Sequence, residues 1–404
     1  MGSLVGSKVS RSALAVAAAA LAAAALAVTV VLLLWAATAG ASAATAGAQT
    51  SATTRGIVIP VSGSVVAVRR SAGQDSLWLV DPVSKAAAQL VTLPFRPARV
   101  AQAPDGRRLA YLPTTTGPKV YVYDSQTNTL ASRSLAARGV KVVDSFTWLT
   151  STKLLVAGKT TAGLAFYPFA DRLYVLNTVT GSSARFRGLA GTEPSVAPKG
   201  TLLVYVRFSD GGRISGGSPL RWVTERLYRL KLTAGTAPHL IGSAKYPNDI
   251  DIRRFNDPRL SHGGSYLITS TTGSDISVSY MVRSSTTGHP LRTFKTALAG
   301  TEATAWSNHG NRVAFWTMPL ADNTDTTRLL VYNPVTNRVR ASAKLSKVAV
   351  TGFAWSSNDA TLAYSVRALS AANDVAELWT IDPTTLSLPA AVDLGAGSMP
   401  VFMP

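Results

Sequence analysis

Four carboxylate residues are the first candidates for chemistry, because they recur at comparable places in successive segments of the chain. Asp144, Glu193, Asp257 and Glu302 each stand three or four residues before the apolar anchor of a short predicted strand. If those strands line one channel, the carboxylates converge and could hold a cation such as calcium or the basic group of a ligand. The offset differs by one residue between Glu193 and Glu302, which reverses the side of a strand. We therefore interpret all four as carboxylates that cap local turns.

Other catalytic and metal-binding patterns are missing from the sequence. The chain has no Cys, which excludes disulfides, thiolate metal sites and Cys nucleophiles. The serine-hydrolase pattern Gly-x-Ser-x-Gly does not occur. The four His residues show no metal-ligand spacing, and His262 and His309 are expected to be turn residues. We expect neither a metal nor a cofactor.

Two phrases alternate along residues 57–404 with a period in the upper forties. The first is a polar turn followed by an apolar strand, as in Ala103-Pro104-Asp105-Gly106 before Leu109-Ala110-Tyr111. The second is a strand that ends in a polar turn, as in Leu378-Trp379-Thr380-Ile381 before Asp382-Pro383. Each phrase occurs seven times and predicts hairpins. Four residues are expected to take the left-handed conformation in these turns: Asn128, Gly181, Gly288 and Asn337.

Two hairpins in each unit give four short strands, and seven such units predict an all-β, seven-bladed β-propeller, with six or eight blades as alternatives. A β-sandwich is the competing all-β fold, but it does not predict one turn pattern repeated seven times. The segment Met399–Pro404 matches the innermost strand of a unit. We expect it to complete the first blade and close the ring.

The Pro-Asp-Gly turn before Leu-Ala-Tyr, with Trp or Phe upstream in several copies, resembles the TolB-like, WD-related propeller repeat. The resemblance covers residues 57–404. It departs from WD repeats in lacking the Trp-Asp dipeptide, and from TolB in having no room for the α/β domain that precedes the propeller there. It implies a platform for binding proteins or ligands.

Residues 1–50 have the composition of a signal peptide or membrane anchor. Lys8 and Arg11 precede an apolar run of 27 residues from Ala13 to Ala39, which is long enough to span a bilayer as a helix. Small residues after the run also suit cleavage by a signal peptidase, so both fates stay open. The positive-inside rule sends residues 51–404 out of the cytoplasm. We predict an extracytoplasmic propeller over 51–404, membrane-anchored or secreted.

The predicted exported part is strongly basic. Residues 51–404 carry 38 Lys and Arg residues against 21 Asp and Glu residues, a net charge of +17. Such a surface attracts polyanions, including anionic lipid headgroups, phosphate-bearing wall polymers and acidic proteins. Nucleic acid is not expected as a partner, since basic residues do not cluster with aromatic ones. The competing interpretation is that the charge only keeps the protein soluble.

Two insertions flank one predicted blade and lie on one face of the disc, here called the insertion face. They run from Phe208 to Arg226 and from Gly242 to Asp257. Variable loops on a rigid scaffold commonly bind partners. We predict that an anionic or acidic partner docks on six basic residues there: Arg213, Arg221, Arg226, Lys245, Arg253 and Arg254. The alternative is that these are solvated insertions without a partner.

The function that follows is binding or scaffolding at the cell envelope by a monomer, without enzymatic activity. The alternative is a propeller enzyme of the lactonase-like hydrolase type. Such enzymes use scattered Glu, His and Arg residues around the channel mouth, which leave no local motif. Glu193 and His262 would be the first candidates for its active site.

Overall fold

The polar turns of the sequence separate short antiparallel strands. The computed structural model describes residues 63–160, 171–213, 221–247, 253–272, 278–296, 303–318, 326–369 and 376–403. Within these ranges, 29 strands form seven sheets, and 3-10 turns occur at Ala136–Arg138 and Leu388–Ala390. Each sheet is one blade, whose strands we call inner, second, third and outer, counted from the central axis.

The first four blades follow one another along the chain, and the inner strand of blade 1 comes from the C-terminus. Blade 1 contains β1 (Val65–Ser71), β2 (Gln74–Val80) and β3 (Ala87–Leu93). Blade 2 contains β4 (Pro97–Gln102), β5 (Arg108–Pro113), β6 (Lys119–Asp124) and β7 (Thr129–Ser134). Blade 3 contains β8 (Val142–Thr150), β9 (Lys153–Lys159), β10 (Asp171–Asn177) and β11 (Ser183–Ala190). Blade 4 contains β12 (Thr192–Val196), β13 (Leu202–Arg213), β14 (Arg221–Lys231) and β15 (His239–Pro247).

The last three blades keep the same order. Blade 5 contains β16 (Arg253–Leu260), β17 (Tyr266–Thr272), β18 (Val278–Ser284) and β19 (Pro290–Thr296). Blade 6 contains β20 (Ala305–Trp306), β21 (Val313–Thr317), β22 (Thr326–Asn333), β23 (Arg338–Ala341) and β24 (Leu345–Ser346), which pairs with β22. Blade 7 contains β25 (Val348–Trp355), β26 (Leu362–Ala368), β27 (Glu377–Ile381) and β28 (Val392–Ala396). The final strand is β29 (Ser398–Phe402).

The ring closes through β29, as the sequence predicts. This strand pairs antiparallel with β1, with Phe402 opposite Val65, and the sheet order is β29-β1-β2-β3. Each inner strand also contacts the inner strand of the next blade all the way around. The seven-bladed propeller is therefore confirmed, and the two ends of the repeat region meet in one blade.

Apolar side chains between the blades form the core. Alternate residues of a strand point to opposite faces, so each blade presents one face to each neighbour. Among the described residues, seven buried apolar clusters occupy the seven interfaces between neighbouring blades. The cluster between blades 2 and 3, for example, packs Ala110 and Val122 against Leu154 and Tyr174.

Two kinds of polar contact repeat around the ring. In three blades a Trp at the inner strand donates its indole N–H to a carbonyl of the preceding blade: Trp148 to Ala101 (2.9 Å), Trp306 to Arg259 (2.8 Å) and Trp355 to Ala305 (2.9 Å). On three outer strands an Arg donates to carbonyls in the third-to-outer turn of the next blade: Arg133 to Thr178 (2.6 Å), Arg187 to Leu232 (2.8 Å) and Arg292 to Asn337 (3.3 Å). We call these last contacts the arginine clasps.

The turn residues behave as predicted, whereas the insertions differ. Asn128 and Gly181 have φ of 52° and 77°, in the left-handed region. The segment interpreted as an inserted loop after Phe208 is mostly strand, because β13 continues to Arg213 and β14 begins at Arg221. The second insertion likewise belongs to β15 and β16, apart from residues 248–252, which lie outside the described residues. Backbone pairing across the hairpin explains the difference, since it satisfies the N–H and C=O groups.

The predicted signal or anchor at residues 1–50 lies outside the described residues. In the part of the chain that the structure describes, no helix has the length and apolar character needed to cross a membrane.

Candidate functional site between blades 4 and 5

Three of the four predicted carboxylates lie on neighbouring inner strands, and Glu302 lies outside the described residues. Asp144, Glu193 and Asp257 each occupy an irregularity in the pairing of the inner strand with the second strand. Glu193 and Asp257 also have positive φ, 49° and 43°. Such bulges redirect a side chain out of the regular alternation.

These carboxylates link inner strands to one another. The backbone N–H of Glu193 donates to the Ser145 hydroxyl at 2.9 Å, and the Glu193 carboxylate accepts the backbone N–H of Asp257 at 2.7 Å. Asp144 accepts a hydrogen bond from the Thr192 hydroxyl and pairs with Lys159 Nζ at 3.2 Å. A continuous polar chain thus runs through blades 3, 4 and 5. These hydrogen bonds of Glu193 and Asp257 connect neighbouring blades.

Asp257 extends this network of polar contacts from blade 5 to blade 2. Its carboxylate meets Arg259 Nε at 2.8 Å and Arg99 Nη2 at 3.2 Å, and Arg99 belongs to the inner strand of blade 2. Burial alone would raise the pKa of Asp257, but the two guanidinium groups outweigh it and hold the pKa below its usual value. The negative charge of Asp257 is therefore matched within the protein. Among the described residues, no group of three His, Asp or Glu side chains is placed to hold a metal ion.

The two His residues considered for chemistry lie in turns of neighbouring blades. His262 follows β16 and His309 follows β20, with 6.1 Å between ring centroids. Burial, then His309 and Lys199, lower the pKa of His262 against an opposing effect of Asp359. The backbone N–H of His309 donates to the Asp359 carboxylate at 2.9 Å. Both residues thus take the turn positions that the sequence predicts.

The six predicted basic residues lie on β13 to β16, around blade 4 and the start of blade 5. Lys245 is exposed, with its Nζ 5.3 Å from the centroid of the Trp222 ring, and Arg226 donates to Ser209 at 2.6 Å. For Arg213, Arg221, Arg253 and Arg254 the backbone positions are established. The pairing of β13 with β14 sets Arg213 opposite Arg221, and Arg207 opposite Arg226.

A groove between blades 4 and 5 is the feature that the sequence interpretation missed. Its volume is about 340 Å³, and it is lined by Gly242, Ser243, Ala244, Phe255, Thr271, Ser279, Met281, Arg283 and Thr293. In the other six interfaces the third strand of the following blade adds buried apolar side chains to the cluster. Here the cluster includes no described residue of β18 or β19. At this position β18 of blade 5 presents Ser279, Met281 and Arg283 to blade 4.

The alternating direction of side chains along β18 accounts for this arrangement. Tyr280 and Val282 are buried against blade 6. The residues between and beside them, Ser279, Met281 and Arg283, point the other way and line the groove. The signal in the sequence is the placement of Ser279 and Arg283 on the same side of β18, in a fold whose blades are covered on both faces.

Arg283 is the charged group of the groove. Its Nη1 donates to the Gly288 carbonyl at 3.0 Å, its Nε lies 3.4 Å from the Thr269 hydroxyl, and its guanidinium carbon is 5.2 Å from the centroid of the Phe255 ring. Burial lowers the pKa of Arg283 to about 10. Among the described residues, no carboxylate lies within ion-pair distance of it.

Two glycines keep the groove in shape. A Cβ on Gly242 would stand 2.8 Å from the Phe255 ring, so only glycine leaves room for that ring. Gly288, with φ of 73°, packs against the backbone of blade 4, where a Cβ would meet the Ile241 carbonyl oxygen at 1.7 Å. Glu225, fully buried, accepts the backbone N–H of Phe255 at 3.1 Å and the hydroxyl of Tyr246 at 3.0 Å. These hydrogen bonds hold in place the backbone of Phe255, whose side chain lines the groove.

Comparison with known proteins finds similarity to solved structures only. No protein-family model matches the sequence, and no curated protein matches it. Among solved structures, TolB from Acinetobacter baumannii is 15% identical, with 84% of this chain and 82% of that chain covered and a TM-score of 0.41. The β-propeller domain of Cps50 (Swd1) from Myceliophteria thermophila is 12% identical, with 77% and 87% covered and a TM-score of 0.45. A protein described as TolB from Agrobacterium tumefaciens is 11% identical, with 71% and 90% covered and a TM-score of 0.43. At such identities the likeness concerns the fold alone: the chain is similar to propellers of the TolB and WD-related kind.

Proposed function

We infer that the propeller is a binding module that docks an acidic protein or another anionic component of the cell envelope on the β13–β14 hairpin of blade 4. The observation that carries this inference is that two arginines face two others across the paired strands: Arg207 lies opposite Arg226, and Arg213 lies opposite Arg221. Like charges directly opposite one another destabilise a sheet. An anionic partner would offset that repulsion. Binding such a partner is the function that we assign to these arginines.

The dimensions of the hairpin support the same inference. β13 and β14 have 12 and 11 residues, whereas β5 and β6, which hold the same places in blade 2, have 6 each. At about 3.3 Å per residue, the hairpin of blade 4 is longer by roughly 17 Å. A long hairpin on a closed ring offers a partner more surface than the tight turns do.

The inference extends to location. A signal or anchor over residues 1–50 would deliver a monomeric propeller to the extracytoplasmic side, in the membrane or secreted, where anionic lipids, wall polymers and acidic proteins are available. We assign no reaction to the chain, and nucleic acid is not among the partners proposed.

Capture from the native envelope tests this function. The full-length chain is purified from its own cells through a C-terminal tag, and co-purifying proteins and anionic polymers are identified at low and at high salt. One variant replaces the six basic residues of the insertion face with Gln or Ser. A matched control replaces six exposed basic residues in or beside tight turns: Lys85, Arg107, Lys153, Lys199, Lys231 and Arg338.

The wild-type chain and the control are expected to capture the same component, more weakly as salt rises. The insertion-face variant should lose it while keeping its circular dichroism spectrum. Capture that survives in that variant places the binding site on the tight-turn face or in the channel.

A further inference from the structure

We propose that the groove between blades 4 and 5 binds a small monocarboxylate with a short apolar body. The site is distinct from the hairpin surface, and the proposal does not depend on docking there. It rests on Ser279 and Arg283 of β18, which line the groove where the third strand adds buried apolar side chains in the other six interfaces.

The charge of the groove selects an anion. Among the described residues, Arg283 has two hydrogen-bond acceptors, the Gly288 carbonyl and the Thr269 hydroxyl, and both are uncharged. A guanidinium group offers five N–H donors in a planar fork that matches a carboxylate. A cation that has lost part of its hydration and faces no carboxylate is stabilised by a bound anion. Glu225 is not the anion that balances Arg283, because its carboxylate lies buried and accepts hydrogen bonds from Phe255 and Tyr246.

The remaining groups narrow the class of ligand. Arg283 is the one cation among the residues that line the groove, which suits a single negative charge better than a phosphate dianion. Phe255 and Met281 offer apolar contact, and hydroxyls of Thr271, Ser279 and Thr293 can donate hydrogen bonds. A volume of about 340 Å³ is at the lower end of ligand pockets. The ligand is therefore compact, with one carboxylate and a small ring or branched chain.

Titration with simple probes tests the proposal on the full-length chain in detergent. Benzoate is the ligand probe, acetate lacks the apolar body, benzyl alcohol lacks the charge, and inorganic phosphate carries more charge. Isothermal titration calorimetry at low salt should show benzoate binding in the millimolar range and more tightly than the other three. Phosphate binding tighter than benzoate, or no binding of benzoate, overturns the proposal.

Two variants locate the binding. Arg283→Gln removes the cation and should weaken benzoate binding at least tenfold. Ser279→Leu keeps the cation and fills the groove, so it should abolish binding even if Arg283→Gln fails to fold. Lys231→Gln is the matched control, because Lys231 is an exposed cation on β14 that does not line the groove. Benzoate binding that is unchanged in Ser279→Leu overturns the assignment.

The outcome is separable from that of the proposed docking function. The variant lacking the six basic residues of the insertion face should bind benzoate as the wild type does. Ser279→Leu should in turn keep capturing the envelope component.

Discussion

The arginine clasps and the hairpin of blade 4 use the same residue type in opposite ways. Each clasp joins an outer strand to the next blade, with donor and acceptor 45 or 46 residues apart for Arg133, Arg187 and Arg292. This separation equals one repeat. On the hairpin, Arg207 and Arg226 face one another across two strands that are longer than the repeat requires. The same positive charge is therefore bonded to the next blade in the clasps, whereas on the hairpin it is expected to reduce stability by repulsion.

The blade 5 side of the hairpin departs from the repeat as well. The groove replaces part of an apolar interface, and Asp257 pairs with Arg99 of blade 2 across the ring. Both features lie beside blade 4. The comparison indicates that periodic contacts maintain the scaffold, whereas both proposed binding sites lie in the sector where the period is broken.

Preventing ring closure tests whether the repeated contacts maintain the scaffold. We expect it to have the largest effect on stability. Deleting residues 395–404 removes β29 with buried Val401, Phe402 and Met403. Loss of these side chains and of the pairing with β1 should lower the melting temperature by at least about 10 °C. Thermal unfolding followed by circular dichroism measures it, with Val335→Ser in an exposed turn as control. An unchanged melting temperature would contradict closure through β29.

The pairing of Asp257 across the ring predicts a pH dependence. Asp257→Asn leaves two guanidinium groups without their anion and should lower the free energy of unfolding by about 2–3 kcal/mol at pH 7. Because the folded pKa of Asp257 is depressed, its contribution is present above the unfolded value of about 3.9 and is lost as pH falls through the folded pKa.

Urea unfolding at a series of pH values checks this prediction. The difference between wild type and Asp257→Asn should be constant from pH 7 to about 5 and should shrink below about pH 4. Asp105→Asn is the control, because Asp105 lies in a turn of blade 2 and accepts the backbone N–H of Arg107. A difference that stays constant into acid would show that Asp257 acts through packing alone.

The fold was predictable because it depends on local turn chemistry. The polar turns mark every blade, and the match of Met399–Pro404 to an inner strand identified closure. Contacts between turns were not predictable in the same way. Asp359 stands in a turn that departs from Pro-Asp-Gly, yet its carboxylate accepts backbone N–H groups of Asn308, His309 and Gly310 in the neighbouring blade. Asp105, in the intact turn, bonds within its own turn.

The candidate site was only partly accessible from sequence. The carboxylates were found from their spacing, but their partners were not, because Arg99 and Asp257 are far apart in the chain and meet only when the ring closes. The groove could have been found from β18, which carries Ser279 and Arg283 on one side, whereas the third strand of blade 6 has the continuous apolar run Leu329–Tyr332. The first insertion was interpreted as a loop because Gly211 and Gly212 conceal the extension of β13 to Arg213.

A clasp arginine should be stabilising by a small amount. Arg187→Gln removes hydrogen bonds to the carbonyls of Leu232 and Thr233 and is expected to lower the free energy of unfolding by about 1 kcal/mol. Arg185→Gln on the same strand is the matched control, because Arg185 is exposed. Urea unfolding distinguishes the two variants. Equal stabilities would mean that the clasps follow from blade packing and do not contribute to it.

Substituting an arginine of the hairpin should change the free energy of unfolding in the opposite direction, and by the smallest amount. Arg207→Thr removes one member of the pair with Arg226 and places a residue that favours strands at an exposed position. The free energy of unfolding should rise by about 0.5 kcal/mol at low salt, and the gain should fall as salt screens the repulsion. Lys231→Thr, opposite Leu202 on the same hairpin, controls for the change in residue type and should show a weaker salt dependence. Because the clasp and hairpin substitutions each remove one positive charge, opposite signs would establish that local pairing decides what each arginine does. A loss of stability in Arg207→Thr would instead make the hairpin part of the scaffold, and the case for an anionic partner there would lose its main support.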